Sequence, residues 1–145
     1  MHTTKVEFIK LEEPVLAPWL CRLAQEFFSQ RRRVLVLVES DEQARALDHY
    51  MWVWEKGTFI PHVWDSGAVD SYAEPVVITT RENNSNAAQV LVAATACSMG
   101  FAHRFEHVVE FAPTYAEDEV VQARKRFAQW RKDGYAPVMR TQGTT

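Results

Sequence analysis

The chain has 145 residues, with 16 Lys and Arg against 19 Asp and Glu, and a formal net charge of −3. Its 47% hydrophobic and 24% charged residues exclude a disordered chain, and no apolar run reaches the roughly 18 to 20 residues of a membrane span. The length suits one domain, predicted over residues 1–138, with a loose polar tail over 139–145. Met1–Lys5 lacks the layout of an export signal, and two cysteines far apart form no redox pair, so we expect a cytoplasmic protein.

Short apolar segments rich in β-branched residues alternate along the chain with segments whose apolar residues recur every three or four positions. This order of strands and helices indicates right-handed βαβ units. The sequence therefore predicts a three-layer α/β domain with a mostly parallel sheet flanked by helices. The predicted strands are Lys5–Leu11, Val34–Val38, Pro75–Thr80, Gln89–Ala94 and Glu106–Phe111, and the predicted helices run from Pro14 to Gln30, from Ser40 onward and from Ala116 to Asp133.

The turn after the first predicted strand tests whether this domain binds a nucleotide. It contains no glycine and carries Glu12 and Glu13, two carboxylates that would repel a phosphate. Neither of the glycine-rich phosphate-binding motifs occurs in the chain, which has five glycines. The sequence therefore predicts no nucleotide cofactor.

The residues that most often form metal or catalytic sites do not converge in this sequence. His103 and His107 are four residues apart, but His107 falls in a predicted strand, so the pair is interpreted as two surface histidines. Glu106 and Glu110 are interpreted as two solvated residues of that strand. We therefore expect no metal, no cofactor and no catalytic residue.

An exposed apolar patch is predicted around Trp52. On the second helix Trp52 falls off the apolar face and on the side of Asp48, and Phe59 follows after a glycine turn. An outward indole is unfavourable unless a partner covers it, and tryptophan is enriched at interface hot spots. The alternative, left open by the sequence, is that the loop over residues 57–75 folds over Trp52 and buries it.

The last predicted helix carries most of the positive charge. Residues 1–119 hold 10 basic and 18 acidic side chains, whereas residues 120–145 hold 6 and 1. On this helix Arg124 and Arg131 border an apolar stripe that includes Val120 and Phe127. Guanidinium groups beside an apolar floor suit an acidic ligand with a hydrophobic end. The alternative is a solvated helix face whose cations interact favourably with the helix dipole.

Taken together, these residues resemble the chi subunit family of bacterial DNA polymerase III over roughly residues 6–135. The order and the spacing of the matching segments agree along the whole of this range. The segments are Arg32–Leu37, Glu42–Ala44, Ala46–Asp48 with Trp52, Phe59–His62, Ala123–Phe127, Trp130–Arg131 and Gly134–Tyr135.

This resemblance implies a Rossmann-like fold and a non-catalytic accessory subunit of the DNA polymerase III complex. It implies binding to the psi subunit, which connects family members to the clamp loader, and to the acidic C-terminal tail of single-stranded-DNA-binding protein, which ends in a Phe carboxylate. By position, Trp52 and Phe59 match the surface for psi, which in some bacteria is also used by a repair helicase. Val120, Arg124, Phe127 and Arg131 match the tail-binding surface. Little direct nucleic-acid binding and no membrane contact are expected.

The sequence departs from the family pattern at two places. Val120 and Ala128 stand where well-studied relatives have lysines, and Trp64–Ala68 replaces a Gly-Glu-Gly-like loop. The loss of the two lysines leaves open whether the tail site is weaker or built differently.

Two other functions are compatible with parts of the sequence. Val34–Val38 and Gln89–Ala94 also resemble the second motor lobe of a superfamily-two helicase, although no QxxGRxxR motif follows. Alternatively, Trp64 or Trp130 would act as a stacking platform for single-stranded DNA.

Overall fold

In the computed structural model, which describes residues 4–55, 59–66, 72 and 74–140, the chain forms a central parallel β-sheet covered by helices on both faces. Seven strands occur in this part of the chain, in the order β3-β4-β2-β5-β6-β1-β7, and neighbouring strands pair in parallel throughout. The strands are β1 (Lys5–Leu11), β2 (Val34–Leu37), β3 (Val63–Trp64), β4 (Val76–Thr79), β5 (Val90–Ala93), β6 (His107–Pro113) and β7 (Val138–Arg140), and the helices are α1 (Ala17–Ser29), α2 (Asp41–Val53), α3 (Met99–Ala102) and α4 (Glu117–Lys132).

The all-apolar sequence of β2 has a direct structural reason. Val34 and Val36 pack into the core between the sheet and helices α1 and α2, whereas Leu35 and Leu37 pack into a second core beneath α3 and α4. Because both faces of the strand are covered, no position on it is left for a polar residue. The predicted three-layer α/β fold with a parallel sheet is confirmed.

The helix ends explain how the chain enters and leaves these layers. Ser40 caps α2 by accepting a hydrogen bond from the backbone N–H of Gln43 at 3.1 Å, as its spacing predicts. The Gln43 side chain reaches one residue further back, where it accepts from the N–H of Glu39 at 2.9 Å. Helix α1 begins at Ala17, three residues later than the predicted start at Pro14, with Pro18 in its first turn.

The C-terminal end of the domain differs from the prediction. The sequence predicts that the domain ends at Val138 and that a loose tail follows, yet Val138–Arg140 form β7 and pair in parallel with β1. Arg140 holds this strand in place because its guanidinium lies 3.4 Å from the Glu7 carboxylate and 3.6 Å from that of Glu26. The tail prediction is therefore wrong for residues 139 and 140, and residues 141–145 lie outside the described part of the chain.

The predicted loop over residues 57–75 contains one short strand, β3, at the edge of the sheet. Residues 56–58, 67–71 and 73 lie outside the described residues, and with them lies part of the altered segment Trp64–Ala68. None of the helices in the described part of the chain is long and apolar enough to cross a bilayer.

Candidate partner-binding surfaces

A groove of about 670 Å³ runs between α4 and the carboxyl ends of β1 and β6, and we call it the α4 groove. The four residues that the sequence singled out on α4 all line it, which places two guanidinium groups beside one apolar floor. The α4 groove is lined by Lys10, Ala112, Pro113, Thr114, Val120, Ala123, Arg124, Phe127, Ala128, Arg131 and Met139.

Phe127 forms the floor of the α4 groove. Its half-buried ring lies 5.2 Å, centroid to centroid, from the ring of Phe8 on β1. The guanidinium carbon of Arg131 lies 5.5 Å from the Phe127 ring centroid, which is the geometry of a cation–π contact. These contacts hold the aromatic floor and one of the cations at the same point of the groove.

The cations of the α4 groove are available to a ligand. Arg124 and Arg131 are exposed, and neither forms an ion pair with a carboxylate in the part of the chain that the structure describes. Lys10, near the end of β1, adds a third cation on the opposite wall. Among the described residues no acidic side chain lines the groove, so its charge is uncompensated there and its chemistry suits carboxylates attached to a hydrophobic group.

A buried polar cluster anchors α4 to the sheet beneath this groove. The carboxylate of Glu110 accepts hydrogen bonds from the Trp130 indole at 2.8 Å and from the Arg126 guanidinium at 2.7 and 2.9 Å. Arg126 also donates to the backbone carbonyl of Cys97. Burial alone would lower the pKa of Arg126, but the hydrogen bonds and the charge of Glu110 outweigh it and raise that pKa. The cluster keeps Arg126 charged and fixes the rotation of α4.

Three residues that at least one interpretation of the sequence places at the surface are buried in the structure. Glu110 is 6% exposed and accepts three hydrogen bonds, so it is not a solvated strand residue. Trp130 is 0% exposed, so it is no platform for a nucleic-acid base. His107 is likewise buried, against Glu7, and is not a surface histidine. Period-two alternation marks a strand, but it does not reveal that another element covers the face on which its polar residues lie.

The second surface, which we call the Trp52 patch, consists of Trp52, Val53 and Phe59. Trp52 is 52% exposed and Phe59 is 64% exposed, and their ring centroids are 5.6 Å apart. The expectation that these two rings form one exposed apolar patch therefore agrees with their positions, and the alternative of a buried Trp52 does not.

A buried histidine supports the Trp52 patch from below. The His62 ring lies 4.4 Å from the Trp52 ring, centroid to centroid. Its two nitrogens lie 2.7 Å from the carbonyl oxygen of Ile60 and 3.0 Å from that of Asp48. These contacts hold the imidazole in place, so the exposed indole packs against a fixed ring.

The crevice at the carboxyl ends of β5 and β6 holds about 310 Å³ and contains Glu39, Glu110 and Glu119 together with Arg126.

The two cysteines are buried, which raises the pKa of the Cys21 thiol to about 12 and that of Cys97 to about 11, so neither is a thiolate near neutral pH. Within the described residues, no group of three or more His, Cys, Asp or Glu side chains could hold a metal ion.

The parallel sheet, wound on both faces by helices, defines a Rossmann-like α/β protein. The solved structure "The crystal structure of T4 UvsW" has this fold, with a TM-score of 0.71 and 10% identity over 95% of this chain and 41% of that chain. At 10% sequence identity, this structural similarity shows a shared fold and nothing about function.

The chain belongs to the DNA polymerase III chi subunit family, because the family model "DNA polymerase III chi subunit, HolC" matches residues 3–138. DNA polymerase III subunit chi of Haemophilus influenzae is 29% identical over 118 residues, covering 79% of each chain. The protein of the same name from Escherichia coli is 28% identical over 117 residues, covering 80% of this chain and 78% of its own. The chain is therefore an accessory subunit of a DNA polymerase complex, with a role in DNA replication.

Lys10 and Met139 are among the residues lining the α4 groove that were not found from the sequence. Lys10 is a polar position in the alternation of β1, and Met139 lies in the segment predicted to be loose. Lys10 is far from α4 in sequence, whereas Met139 follows the end of α4 by seven residues. The strand order, which places β1 beside β6 and β7 beside β1, brings them to the groove, and a single sequence does not reveal that order.

Proposed function

We propose that this chain connects the clamp loader, through the psi subunit, to the acidic C-terminal tail of single-stranded-DNA-binding protein during DNA replication. The observation that carries the proposal is the α4 groove, where uncompensated cations surround an apolar floor. Family membership supports the setting, because relatives of this chain are subunits of DNA polymerase III.

In this proposal the terminal Phe ring of the tail packs against Phe127 and Val120. Arg124 and Arg131 bind the terminal carboxylate and the acidic side chains that precede it, and Lys10 faces them from the other wall. Bonds between exposed charges are screened by salt, so the interaction is weak and reversible, as a handover between proteins requires. Ala128 and Val120 stand where well-studied relatives have lysines, and the cations that line the groove are Arg124, Arg131 and Lys10.

The Trp52 patch is the proposed contact for psi, or for a repair helicase that uses the same surface. Trp52 and Phe59 offer adjoining rings on a rigid base, which is the character of an interface hot spot. This patch lies on α2 and the segment after it, whereas the α4 groove lies beneath a helix of the opposite layer. Two partners can therefore bind together. The chain itself has no catalytic role in the proposal, and an ATPase assay with and without DNA tests that point.

Arg124→Ala tests the placement of the tail. Titration calorimetry with an acidic peptide ending in Phe should give an affinity lower by about five-fold or more at low salt, because the site then lacks one charged hydrogen-bonding group. Lys125→Ala is the matched control: it removes the same charge from the neighbouring position, outside the groove, and should change the affinity by less than about two-fold. Equal effects of the two substitutions would show that only the overall charge matters.

A further inference from the structure

The turn between α1 and β2 carries three consecutive arginines, and the first of them has an unusual backbone. Arg31 has φ 59°, the left-handed conformation that favours glycine. It ends α1 with a Schellman motif: its N–H donates to the carbonyl of Phe28 at 2.9 Å, and the N–H of Arg32 donates to that of Phe27 at 3.0 Å.

Helix α4 ends with the same motif and provides an internal comparison. There Gly134, at φ 97°, occupies the equivalent position, with its N–H bonded to the carbonyl of Arg131 and the next N–H to that of Trp130, both at 3.0 Å. Helix α4 thus has glycine, which this conformation favours, whereas α1 has an arginine in a strained backbone conformation. Strain of this kind is concentrated at functional sites.

The arginines line a pocket of about 420 Å³, which we call the Arg31 pocket. Its walls are Phe28, Ser29, Arg31, Arg32, Arg33 and Pro75. None of these described residues is a carboxylate, and the apolar part of the pocket is formed by a phenyl ring and a proline ring. Phe28 is half-buried, so part of its ring faces the pocket.

Only one of the three guanidinium groups is engaged within the part of the protein that the structure describes. Arg32 lies 3.1 Å from Nδ1 of His107 and 5.6 Å from the centroid of the Phe27 ring. Arg31 is exposed and Arg33 is half-buried, and neither forms an ion pair with any of the described residues. Two cations are therefore available to a ligand.

We propose that the Arg31 pocket binds a nucleotide unit of single-stranded DNA, with a phosphate on Arg31 and Arg33 and a base against Phe28. Planar guanidinium groups bind phosphate oxygens in pairs and stack on bases, and an aromatic ring at the same place adds sequence-tolerant stacking. The pocket precedes β2, at the amino edge of the sheet, whereas the α4 groove lies at the carboxyl ends of β1 and β6. The protein can therefore hold a strand and an acidic peptide at once. The net charge of −3 limits this contact to low affinity.

Fluorescence anisotropy with a short labelled oligothymidylate tests the proposal. The double variant Arg31→Ala/Arg33→Ala should bind about five-fold more weakly at low salt, and its salt slope should fall by roughly 0.7 for each phosphate that is no longer neutralised. The matched control, Lys125→Ala/Lys132→Ala, removes the same charge from exposed positions of α4 that line neither the Arg31 pocket nor the α4 groove, and it should leave binding within about two-fold. An abasic oligomer should bind the wild type more weakly, because the base no longer stacks.

Arg31→Gly separates a binding role from a structural one. Glycine relieves the strained backbone, so the midpoint of thermal unfolding should stay the same or rise while oligothymidylate binding weakens. If Arg31 served only as a cation at the end of α1, unfolding would occur at lower temperature and binding would not change.

Three results would overturn the proposal. The first is that the wild type does not bind oligothymidylate at low salt. The second is that the two double variants weaken binding equally, which would indicate a diffuse charge effect. Alternatively, Arg31→Ala/Arg33→Ala would weaken the binding of an acidic peptide and spare that of the oligomer, which would assign the pocket to a protein partner.

Discussion

Glu7 lies at the centre of a buried charge cluster that joins β1, β6 and β7. Its carboxylate is bonded to Nε2 of His107 and lies 3.4 Å from the Arg140 guanidinium. Arginine only donates hydrogen bonds, so the contact of Arg32 with Nδ1 of His107 makes Nδ1 the acceptor. Nε2 therefore carries the proton and donates it to Glu7. This fixes one imidazole tautomer and leaves the negative charge on the carboxylate.

This arrangement makes the free energy of unfolding depend on pH in the acid range. The hydrogen bond from His107 lowers the pKa of Glu7 below its ordinary value of 4.5, and nearby positive charge adds to the effect. Below that ordinary value the unfolded chain binds a proton that the folded chain does not, so the contribution of Glu7 is present at neutral pH and is lost as the pH falls through the lowered pKa.

Glu7→Gln should therefore lower the free energy of unfolding near neutral pH by about 3 kcal/mol, the cost of breaking a buried pair. The difference from wild type should narrow as the pH falls below about 4.5, because the wild type loses the same interaction by protonation. Urea unfolding at a series of pH values measures the loss of unfolding free energy and its dependence on pH. Glu106→Gln, at an exposed neighbouring position, is the control and should change little. A difference that does not depend on pH would contradict this account of Glu7.

At the scale of elements, the docking of α4 decides whether the α4 groove exists. The helix has a short apolar stripe, and of its residues Trp130 is the one that is fully buried. Its indole N–H donates to Glu110 on β6, so a polar bond fixes the rotation of the helix that carries Arg124 and Phe127.

A double-mutant cycle between Trp130→Phe and Glu110→Gln isolates this bond. The coupling energy should be about 1 to 2 kcal/mol, because the Glu110 carboxylate is buried and loses a donor. The control cycle pairs Glu110→Gln with Trp64→Phe. Nε1 of Trp64 is buried without a hydrogen-bond partner among the described residues, so the control coupling should be near zero. Equal couplings in urea unfolding would show that the indole bond does not hold α4.

Helices and strands were predictable where one sequence pattern fixes one environment. The run Val34–Val38 predicts a strand buried on both faces, and the Ser40–Gln43 spacing predicts the start of α2; both are confirmed. The edge strand β7 was missed because Val138–Arg140 is short, with two exposed apolar residues, and its place depends on a distant ion pair between Arg140 and Glu7.

For the site, the sequence identified the α4 side of the groove but not the opposite wall. Val120, Arg124, Phe127 and Arg131 share one helix face, so helical geometry alone places them together. The opposite wall depends on the strand order, which helical geometry does not predict. The burial of Glu110 was not anticipated because it depends on the packing of α4 against this face of β6.

At the scale of the whole molecule, the distribution of charge matters more than its sum. The last 26 residues carry 6 basic and 1 acidic side chain, and the structure gathers two of these cations with Lys10 around the α4 groove. The Trp52 patch lies on another layer of the fold. We infer that the α4 groove and the Trp52 patch are two independent binding surfaces on one domain.

Sedimentation of the intact protein with full-length single-stranded-DNA-binding protein and the psi subunit of the same cell tests that claim most directly. The wild type should form a complex of all three proteins. Arg124→Ala should lose single-stranded-DNA-binding protein at moderate salt and keep psi, whereas Trp52→Ala should lose psi and keep single-stranded-DNA-binding protein, with circular dichroism unchanged in both. If either folded variant lost both partners, or if both variants kept both, the two surfaces would not be the independent binding sites described for this chain.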